Sequence, residues 1–225
     1  MDARQHKIML SKVLVALYKD TTLWSRLLFK WGTCAMFFYG LPRMSVDLDF
    51  DLLDQWWDYK TLIPSLTQCL EQFGKIDDYQ DKFYTLYYEL NYWFWAKNMK
   101  IEISKRGQSG DAIQSNFLGE NILIMTQEDL FTNKIFALLN RSSITNRDIF
   151  DIRYFFQKWV NLNKALLESK TQTSYHDYLQ QVRKFILWYN FDKILYGLWE
   201  LVDDTQKIFL KTKMKDQIIW YIDMS

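Results

Sequence analysis

Two aspartates that stand two residues apart, Asp47 and Asp49, are the strongest chemical feature of the chain. They alternate with Val46, Leu48 and Phe50 in the pattern of a half-buried strand, so both carboxylates are predicted to project from one face. Carboxylates held this close repel each other unless a cation lies between them, and Mg²⁺ binds one or two carboxylates together with phosphates and water. The pair therefore indicates a site for Mg²⁺ or Mn²⁺, although an acidic, solvated strand edge has the same pattern.

A turn of small residues upstream of the aspartates adds a place for phosphate. Gly32 and Thr33 stand where a predicted strand gives way to a predicted helix. At such a junction the backbone N–H groups, the helix dipole and the threonine hydroxyl can all point at a phosphate. Arg43 and Ser45 precede the aspartates and add a cation and a second hydroxyl. A phosphate cradle beside a dicarboxylate favours a nucleotide and metal site over the solvated strand edge.

Two further charged residues lie in apolar surroundings. Glu102 stands between Ile101 and Ile103 in a short predicted strand and faces away from both isoleucines. By spacing alone, a metal ligand and an ordinary exposed strand glutamate are equally good interpretations. Lys134 lies in an apolar-rich predicted helix, where a solvated lysine is the usual interpretation.

The composition narrows the class of protein. The 225 residues carry a formal net charge of +1, so the chain lacks the large positive charge that is typical of nucleic-acid-binding proteins. A local basic face is still compatible with this net charge. Ten Trp, fourteen Tyr and sixteen Phe supply core rings and also surfaces on which bases can stack. Cys34 and Cys69 have no metal or disulfide spacing, which fits a reducing compartment.

No stretch reaches the roughly 20 uninterrupted apolar residues of a membrane span. The apolar run near the N-terminus is interrupted by Lys7, Lys12 and Lys19, and no small-residue cleavage site follows it. That run therefore predicts an amphipathic helix rather than a signal sequence. We expect a cytoplasmic protein with no membrane partner.

The elements that must position the aspartates lie in the first half of the chain. Residues 28–50 predict a strand, a turn, a short helix, a loop and a second strand, after which Asp51 and Asp54 are expected to begin a loop. A helix broken or kinked near Pro64 is predicted over 55–73. Residues 105–118 are predicted to be a loop. Further strands are predicted over 83–90, 92–95, 100–104 and 121–125.

The second half of the chain is predicted to be helical, so the whole is expected to be an α/β protein of two domains. Residues 1–125 would form a mixed sheet with flanking helices, residues 126–225 would form a helical bundle, and the cleft between them would bind nucleotide. Helices are predicted from residue 126 onward and over 148–160, 175–189, 192–202 and 205–222.

These motifs resemble those of a known family. Residues 30–35 and 39–50 resemble the first motif of the AbiEii/AbiGii-type abortive-infection toxins, which are nucleotidyltransferases of the DNA polymerase β-like superfamily. The family pattern is K-G-G-T-A-L, a short helix ending in Y-G, and R-x-S-x-D-[IL]-D-F, and Trp31 replaces the first glycine. Residues 129–141 and 147–152 resemble the second block, in which a lysine helix leads into an arginine-aspartate helix.

The resemblance implies a role for each matching residue. Asp47 and Asp49 would bind the metal ion with Glu102 as the third carboxylate. Lys134 would contact nucleotide phosphates, Asp148 would be essential for activity, and Glu102 or Asp148 would lie near the proton that the acceptor loses. The expected nucleotide-binding residues are Gly32, Thr33, Arg43, Ser45 and Lys134.

The family also implies a function. The chain would be the toxin of a toxin–antitoxin pair and would transfer NMP from an NTP to an acceptor hydroxyl such as a tRNA end, with a cognate antitoxin as partner. One alternative is a degenerate member that binds nucleotide or a partner without catalysis. Trp31 in the glycine turn favours it, and the intact Asp47, Asp49, Lys134 and Asp148 argue against it. Another alternative is an enzyme that transfers NMP to a protein hydroxyl.

Overall fold

Two compact units make up the chain. The computed structural model describes residues 2–53, 59–92, 98–141 and 145–225. The first unit consists of Met1–Gly40 and Met44–Thr126, and the second consists of Leu41–Arg43 and Gln127–Ser225. The short segment Leu41–Arg43 therefore groups with the second unit, although it lies within the sequence of the first.

A mixed β-sheet forms the centre of the first unit and confirms the predicted α/β class. In the described residues the sheet has seven strands in the order β3-β4-β5-β2-β1-β7-β6. The pairs β1·β7 and β2·β5 are parallel, and the other pairs are antiparallel. The strands are β1 (Leu27–Lys30), β2 (Leu48–Leu52), β3 (Lys75–Asp81), β4 (Thr85–Asn91), β5 (Met99–Ser104), β6 (Ala112–Phe117) and β7 (Glu120–Met125).

Helices pack on this sheet, because apolar residues recur at helical spacing and form one face that can be buried. In α1 the Asp2 carboxylate accepts the N–H groups of Arg4 and Gln5 and so caps the N-terminus. Leu10, Val13, Leu14 and Leu17 of α1 are fully buried, as expected for an amphipathic helix, and the helix packs on β7 and α3. The helices of this unit are α1 (Ala3–Lys19), α2 (Trp31–Phe38) and α3 (Ile63–Glu71), with a 3₁₀ turn at Tyr59–Leu62.

Two strands of the sheet were not predicted. β3 was not assigned and β6 falls in the predicted loop 105–118; both are polar in sequence and form the two edges of the sheet. An edge strand pairs on one side only and is often exposed, so the apolar alternation that identifies an inner strand is missing. Phe83 and Tyr84, predicted to be in a strand, instead precede β4.

Two local predictions in this unit were also wrong. β2 continues to Leu52, so Asp51 lies in the strand and does not begin a loop, whereas Asp54 lies outside the described residues. Pro64 does not break a helix, because it lies in the first turn of α3, where its missing N–H would have no helical partner. The predicted start of that helix and most of the predicted strand 92–95 lie outside the described residues.

Helices joined by loops and turns make up most of the second unit in the residues that the structure describes. Phe131 of α4 packs against Phe155 and Phe156 of α5, with ring centroids 5.5 and 4.9 Å away, and Phe156 stacks on Tyr221 of α9. No helix in the described residues is long and apolar enough to cross a membrane. The helices are α4 (Gln127–Asn140), α5 (Asn146–Gln157), α6 (Lys164–Thr171), α7 (Tyr175–Trp188), α8 (Asp204–Thr212) and α9 (Met214–Asp223).

The predicted helix over 192–202 is absent, and its place is taken by a short 3₁₀ turn at Phe191–Lys193 followed by further turns. The Asn146 side chain donates to the backbone carbonyls of Lys193 and Tyr196, each at 2.8 Å, and Gly197 has a φ of 72°. Carbonyls that accept from a side chain are not available to the helical hydrogen-bond ladder, and a glycine in the left-handed region ends a right-handed helix. The predicted helix 205–222 is divided at Lys213, and α6 was missed.

Candidate active site

The strand register places one predicted acid directly beside another. Asp49 of β2 pairs with Glu102 of β5, and on either side of them lie Lys30 of β1 and Tyr87 of β4. Residues paired across neighbouring strands point to the same face, and neighbouring strands are about 4.8 Å apart. The two carboxylates are therefore neighbours on one face of the sheet. Glu102 is exposed, whereas Ile101 and Ile103 are fully buried, as the alternation predicts.

Asp47 lies just before β2 and continues the same alternation. Asp47 and Asp49 are both half-buried, and Leu48 between them is fully buried. Because side chains alternate along extended backbone, Asp47 lies on the side of Asp49 and Glu102.

Side chains from two helices hold the backbone that leads into Asp47. The Thr33 hydroxyl of α2 donates to the carbonyl of Asp47. The carbonyl of Val46 accepts from Nε2 of His6 on α1 at 2.8 Å, and Nδ1 of the same ring contacts the Tyr92 hydroxyl. Thr33 and His6 are both buried. Two consecutive backbone carbonyls thus accept hydrogen bonds from buried side chains. These bonds hold the backbone from which the Asp47 side chain projects.

A neighbouring acid, Asp51, is already neutralised. It is fully buried, and its carboxylate lies 2.5 Å from Nζ of Lys30. The Ser109 N–H donates to its other oxygen at 2.9 Å, and the Ser109 hydroxyl donates to the same atom. A buried carboxylate with a cation and two donors has little capacity left for a metal ion. The pairing of Lys30 with Asp51 was not predicted, because Asp51 was expected to begin a loop.

The turn beside this face adopts the backbone that the family glycine suggests. Trp31 begins α2 with a φ of 61°, in the left-handed region that favours glycine. Its ring lies near Nζ of Lys30, at 5.6 Å from the centroid. Gly32 and Thr33 follow in the first turn of the helix and are buried. The substitution of glycine by Trp31 therefore falls at a position that requires unusual backbone geometry.

The chemistry of the acidic face fits Mg²⁺ or Mn²⁺. Asp49 and Glu102 are paired neighbours, and carboxylate oxygens are the hard donors that these ions prefer. Within the described residues, no three His, Cys, Asp or Glu side chains are gathered into a cluster that would hold a metal ion. The donor set therefore fits an ion held by one or two carboxylates and completed by water and substrate phosphates, and it does not fit a closed protein cage.

The second unit contains a buried network of charges around Lys134. Its Nζ lies 2.7 Å from Oδ1 of Asp148 and 3.0 Å from Oδ2 of Asp151, so two acids of α5 share one amine of α4. Arg43 binds Asp151 through two bonds of 2.6 Å, and Arg141 binds Asp148 at 2.7 Å. These side chains bring together three cations and two carboxylates. Lysine and arginine side chains are groups that bind phosphate through charge-assisted hydrogen bonds.

Asp148 is ionised in this network at any physiological pH. Burial by itself raises the pKa of its carboxyl, but Lys134 and Arg141 and the hydrogen bond from Thr145 outweigh burial and lower the pKa to about 2. A carboxylate of this kind is a weak base. It orients and balances the cations better than it accepts a proton.

The predicted phosphate-binding residues have definite places. Arg43 is buried and lies in the segment that groups with the second unit, where its guanidinium is paired with Asp151. Ser45 and Gly32 are buried in the first unit, and the Thr33 hydroxyl is directed at the Asp47 carbonyl. Phosphate contact by these residues stays a prediction. The contact of His6 with the segment before Asp47 could not be predicted, since a lone buried histidine has no spacing pattern.

Comparisons with known proteins bear on the family and on the fold. Residues 12–215 match the family model described as nucleotidyl transferase AbiEii toxin, type IV toxin–antitoxin system. The fold is similar to the crystal structure of JHP933 from Helicobacter pylori, with a TM-score of 0.63, 19% identity, and coverage of 99% of this chain and 90% of that one. It is also similar to a protein of the same organism provisionally named a nucleotidyltransferase, with a TM-score of 0.60, 19% identity, and coverage of 99% and 96%. A search of curated proteins gave no significant match.

Proposed function

The chain belongs to the AbiEii family of nucleotidyltransferase toxins, and from this premise we propose that it transfers NMP from an NTP to an acceptor hydroxyl with the help of Mg²⁺ or Mn²⁺. The observation that carries the proposal is the pairing of Asp49 with Glu102 on one face of the sheet, beside Asp47. Paired carboxylates on a strand face, in a nucleotidyltransferase, are suited to a divalent ion and a triphosphate.

The acidic residues have the first role. Asp47, Asp49 and Glu102 supply the carboxylates for the metal ion, of which one or two would bind it directly together with water and substrate phosphates, and the ion when bound neutralises phosphate charge. The Lys30–Asp51 pair keeps a further acid of this face neutralised. The hydrogen bonds from Thr33 and His6 fix the backbone around Asp47, so its carboxylate is preorganised for the reaction.

The cationic network has the second role. Lys134, with Arg43, would neutralise the charge that moves onto the leaving pyrophosphate. Asp148 and Asp151 orient these cations through the ion pairs described above. Gly32 and Ser45 would donate to phosphate oxygens. The Thr33 hydroxyl, expected from the sequence to do the same, donates to the Asp47 carbonyl, and this contact supports a positioning role.

The chemical step follows from these roles. The acceptor hydroxyl loses its proton to a carboxylate, its oxygen forms a bond to the α-phosphorus, and the bond to the β-phosphate oxygen breaks with release of pyrophosphate. Of the two candidate bases, Glu102 is favoured, because it is exposed and the pKa of Asp148 is about 2.

The acceptor and the partner complete the proposal. A tRNA end supplies a hydroxyl of the required kind, and a cognate antitoxin would oppose the activity, as membership in a toxin–antitoxin family suggests. With these substrates the reaction would take place in the cytoplasm. A second candidate, a nucleotide-binding protein without catalysis, is favoured by one observation, the bulky Trp31 at a left-handed position.

An assay with labelled nucleotides tests the proposal. The purified chain is incubated with Mg²⁺ or Mn²⁺, each α-labelled NTP in turn, and total tRNA or cell extract. Label on RNA is the expected result. Label on protein would identify a protein-modifying enzyme instead, and no label under any condition would support the non-catalytic candidate.

A further inference from the structure

A groove of about 1000 Å³ lies in the second unit and has no role in the reaction described above. Its walls come from the start of α5 and from the turns that follow α7, and they include Arg147, Lys193, Tyr196 and Trp199. The volume is at the upper end of the range of about 300–1,000 Å³ that small-molecule pockets have. The groove therefore has room for a ligand of at least the size of a large small molecule.

Two aromatic rings of the groove are presented to solvent. The exposed fractions are 86% for Tyr196 and 59% for Trp199. Nζ of Lys207 lies 4.3 Å from the Trp199 ring centroid and is also paired with Asp204 at 2.8 Å. Exposed rings beside cations are the surfaces on which nucleic-acid bases stack.

Two cations of the groove are available to a ligand. Within the described part of the chain, neither Arg147 nor Lys193 forms a side-chain hydrogen bond or an ion pair. One carboxylate, Asp192, also lines the groove, so the walls carry an excess of positive charge. Phosphate groups are the ligands that such unpaired cations attract.

Hydrogen bonds hold the walls of the groove and connect it to the buried charges around Lys134. Asn146 is buried at its base, accepts from the Tyr189 hydroxyl, and donates to the carbonyls of Lys193 and Tyr196 at 2.8 Å each. Thr145 lines the groove and also donates to Oδ2 of Asp148 at 2.6 Å. One residue therefore belongs both to the groove and to the surroundings of Lys134 and Asp148.

We propose that this groove binds a single-stranded nucleic acid, with bases stacked on Tyr196 and Trp199 and with phosphates held by Arg147 and Lys193. The strand would be the acceptor, and in this respect the inference rests on the proposed function. An open groove with free cations and exposed rings suits an unpaired strand, whose bases are free to stack, better than a duplex, whose bases are stacked on one another.

Binding measured without catalysis tests this inference. Fluorescence anisotropy of a labelled single-stranded RNA hexamer is recorded with the full chain, without NTP or divalent cation, and a DNA hexamer, an RNA duplex and an NMP serve as competitors. Tyr196→Ala and Trp199→Ala should each weaken binding about fivefold to a hundredfold. Trp188→Ala is the matched control, because Trp188 is 80% exposed on α7 and does not line the groove.

Charge variants give a second, independent readout. Arg147→Gln and Lys193→Gln should each reduce the slope of log K against log salt by about 0.7, as expected for one lost phosphate contact on a single strand. Lys184→Gln changes the same charge at an exposed position of α7 and should leave the slope unchanged. Unchanged thermal unfolding of each variant shows that its fold is intact.

The outcomes separate this inference from the proposed function. The inference is supported if the groove variants lose affinity and the controls do not, even if no transfer is ever detected. It is overturned if the groove variants bind the hexamer like the wild type, or if the duplex or the NMP competes as well as the single strand. Asp49→Asn should bind the hexamer normally while it loses transfer.

Discussion

Asp148 acquires its properties from the residues around it. The sequence identifies it only through its motif, whereas the structure shows two cations and a threonine hydroxyl on one buried carboxylate. Its pKa of about 2 lies below the ordinary value of 3.8, so the folded state binds the proton less tightly than the unfolded state. The resulting stabilisation is fully present above the unfolded value and is lost as the pH falls through the folded value.

This sign gives a prediction for Asp148→Asn. From the size of the pKa shift, the wild type should lose about 2 kcal/mol of unfolding free energy between about pH 5 and pH 2 that the variant does not lose. Urea unfolding followed by circular dichroism at several pH values measures the difference. Asp216→Asn, at an exposed position of α9, is the control and should follow the wild type. Parallel pH profiles for the wild type and Asp148→Asn would contradict the assigned ion pairs.

Trp31 stands where the family pattern has its first glycine, and its φ of 61° predicts that a glycine variant is more stable than an alanine variant. Trp31→Gly and Trp31→Ala both remove the ring, but only glycine also removes the strain of a left-handed Cβ. Trp31→Gly should therefore be more stable than Trp31→Ala by about 1–2 kcal/mol, the reverse of the usual order inside a helix. Thermal unfolding of the pair measures this. A more stable alanine variant would show that Trp31 is not in the left-handed region in solution.

At the scale of elements, the junction of α2 with the segment before β2 decides where Asp47 points. Thr33→Val removes the hydroxyl that binds the Asp47 carbonyl and keeps the shape of the side chain. We expect it to lower kcat about tenfold to a hundredfold with little change in the KM for NTP, because a positioning contact is lost. Thr33→Ser keeps a hydroxyl and should retain most of the activity. A raised KM at unchanged kcat would instead indicate that the hydroxyl binds phosphate, as the sequence alone suggests.

The elements that could be predicted are those in which apolar residues recur at the same spacing as the buried positions. β2 and β5 alternate apolar and acidic residues, and α1 repeats its leucines at helical spacing, so all three were found. β3 and β6 lie at the sheet edges and are polar, so local sequence gave little sign of them. The turns after α7 depend on Asn146, which is distant in sequence, and no local pattern predicts a contact of that kind.

At the scale of the whole molecule, the sequence placed the main functional residues in two groups, and the structure adds how each group is held. The pairing of Asp49 with Glu102 was expected only from the resemblance, since spacing left Glu102 undecided. Arg43 could not be placed from sequence, because the segment Leu41–Arg43 belongs to the second unit and its partner Asp151 is 108 residues away. Contacts of such long range follow from the fold and not from local pattern.

If the acidic face of the sheet catalyses NMP transfer, the acceptor receives the α-phosphate of the NTP, and the position of a label tests this. Parallel reactions contain the same NTP labelled at the α- or at the γ-phosphate, with Mg²⁺ and total tRNA, and use the wild type, Asp49→Asn and the control Asp216→Asn. Only α-label should reach the acceptor. Asp49→Asn should lower this transfer at least a hundredfold, which is the order of loss seen when one electrostatic contact to a transition state is removed. Transfer of γ-label, or full activity of Asp49→Asn, would contradict this role of the acidic face.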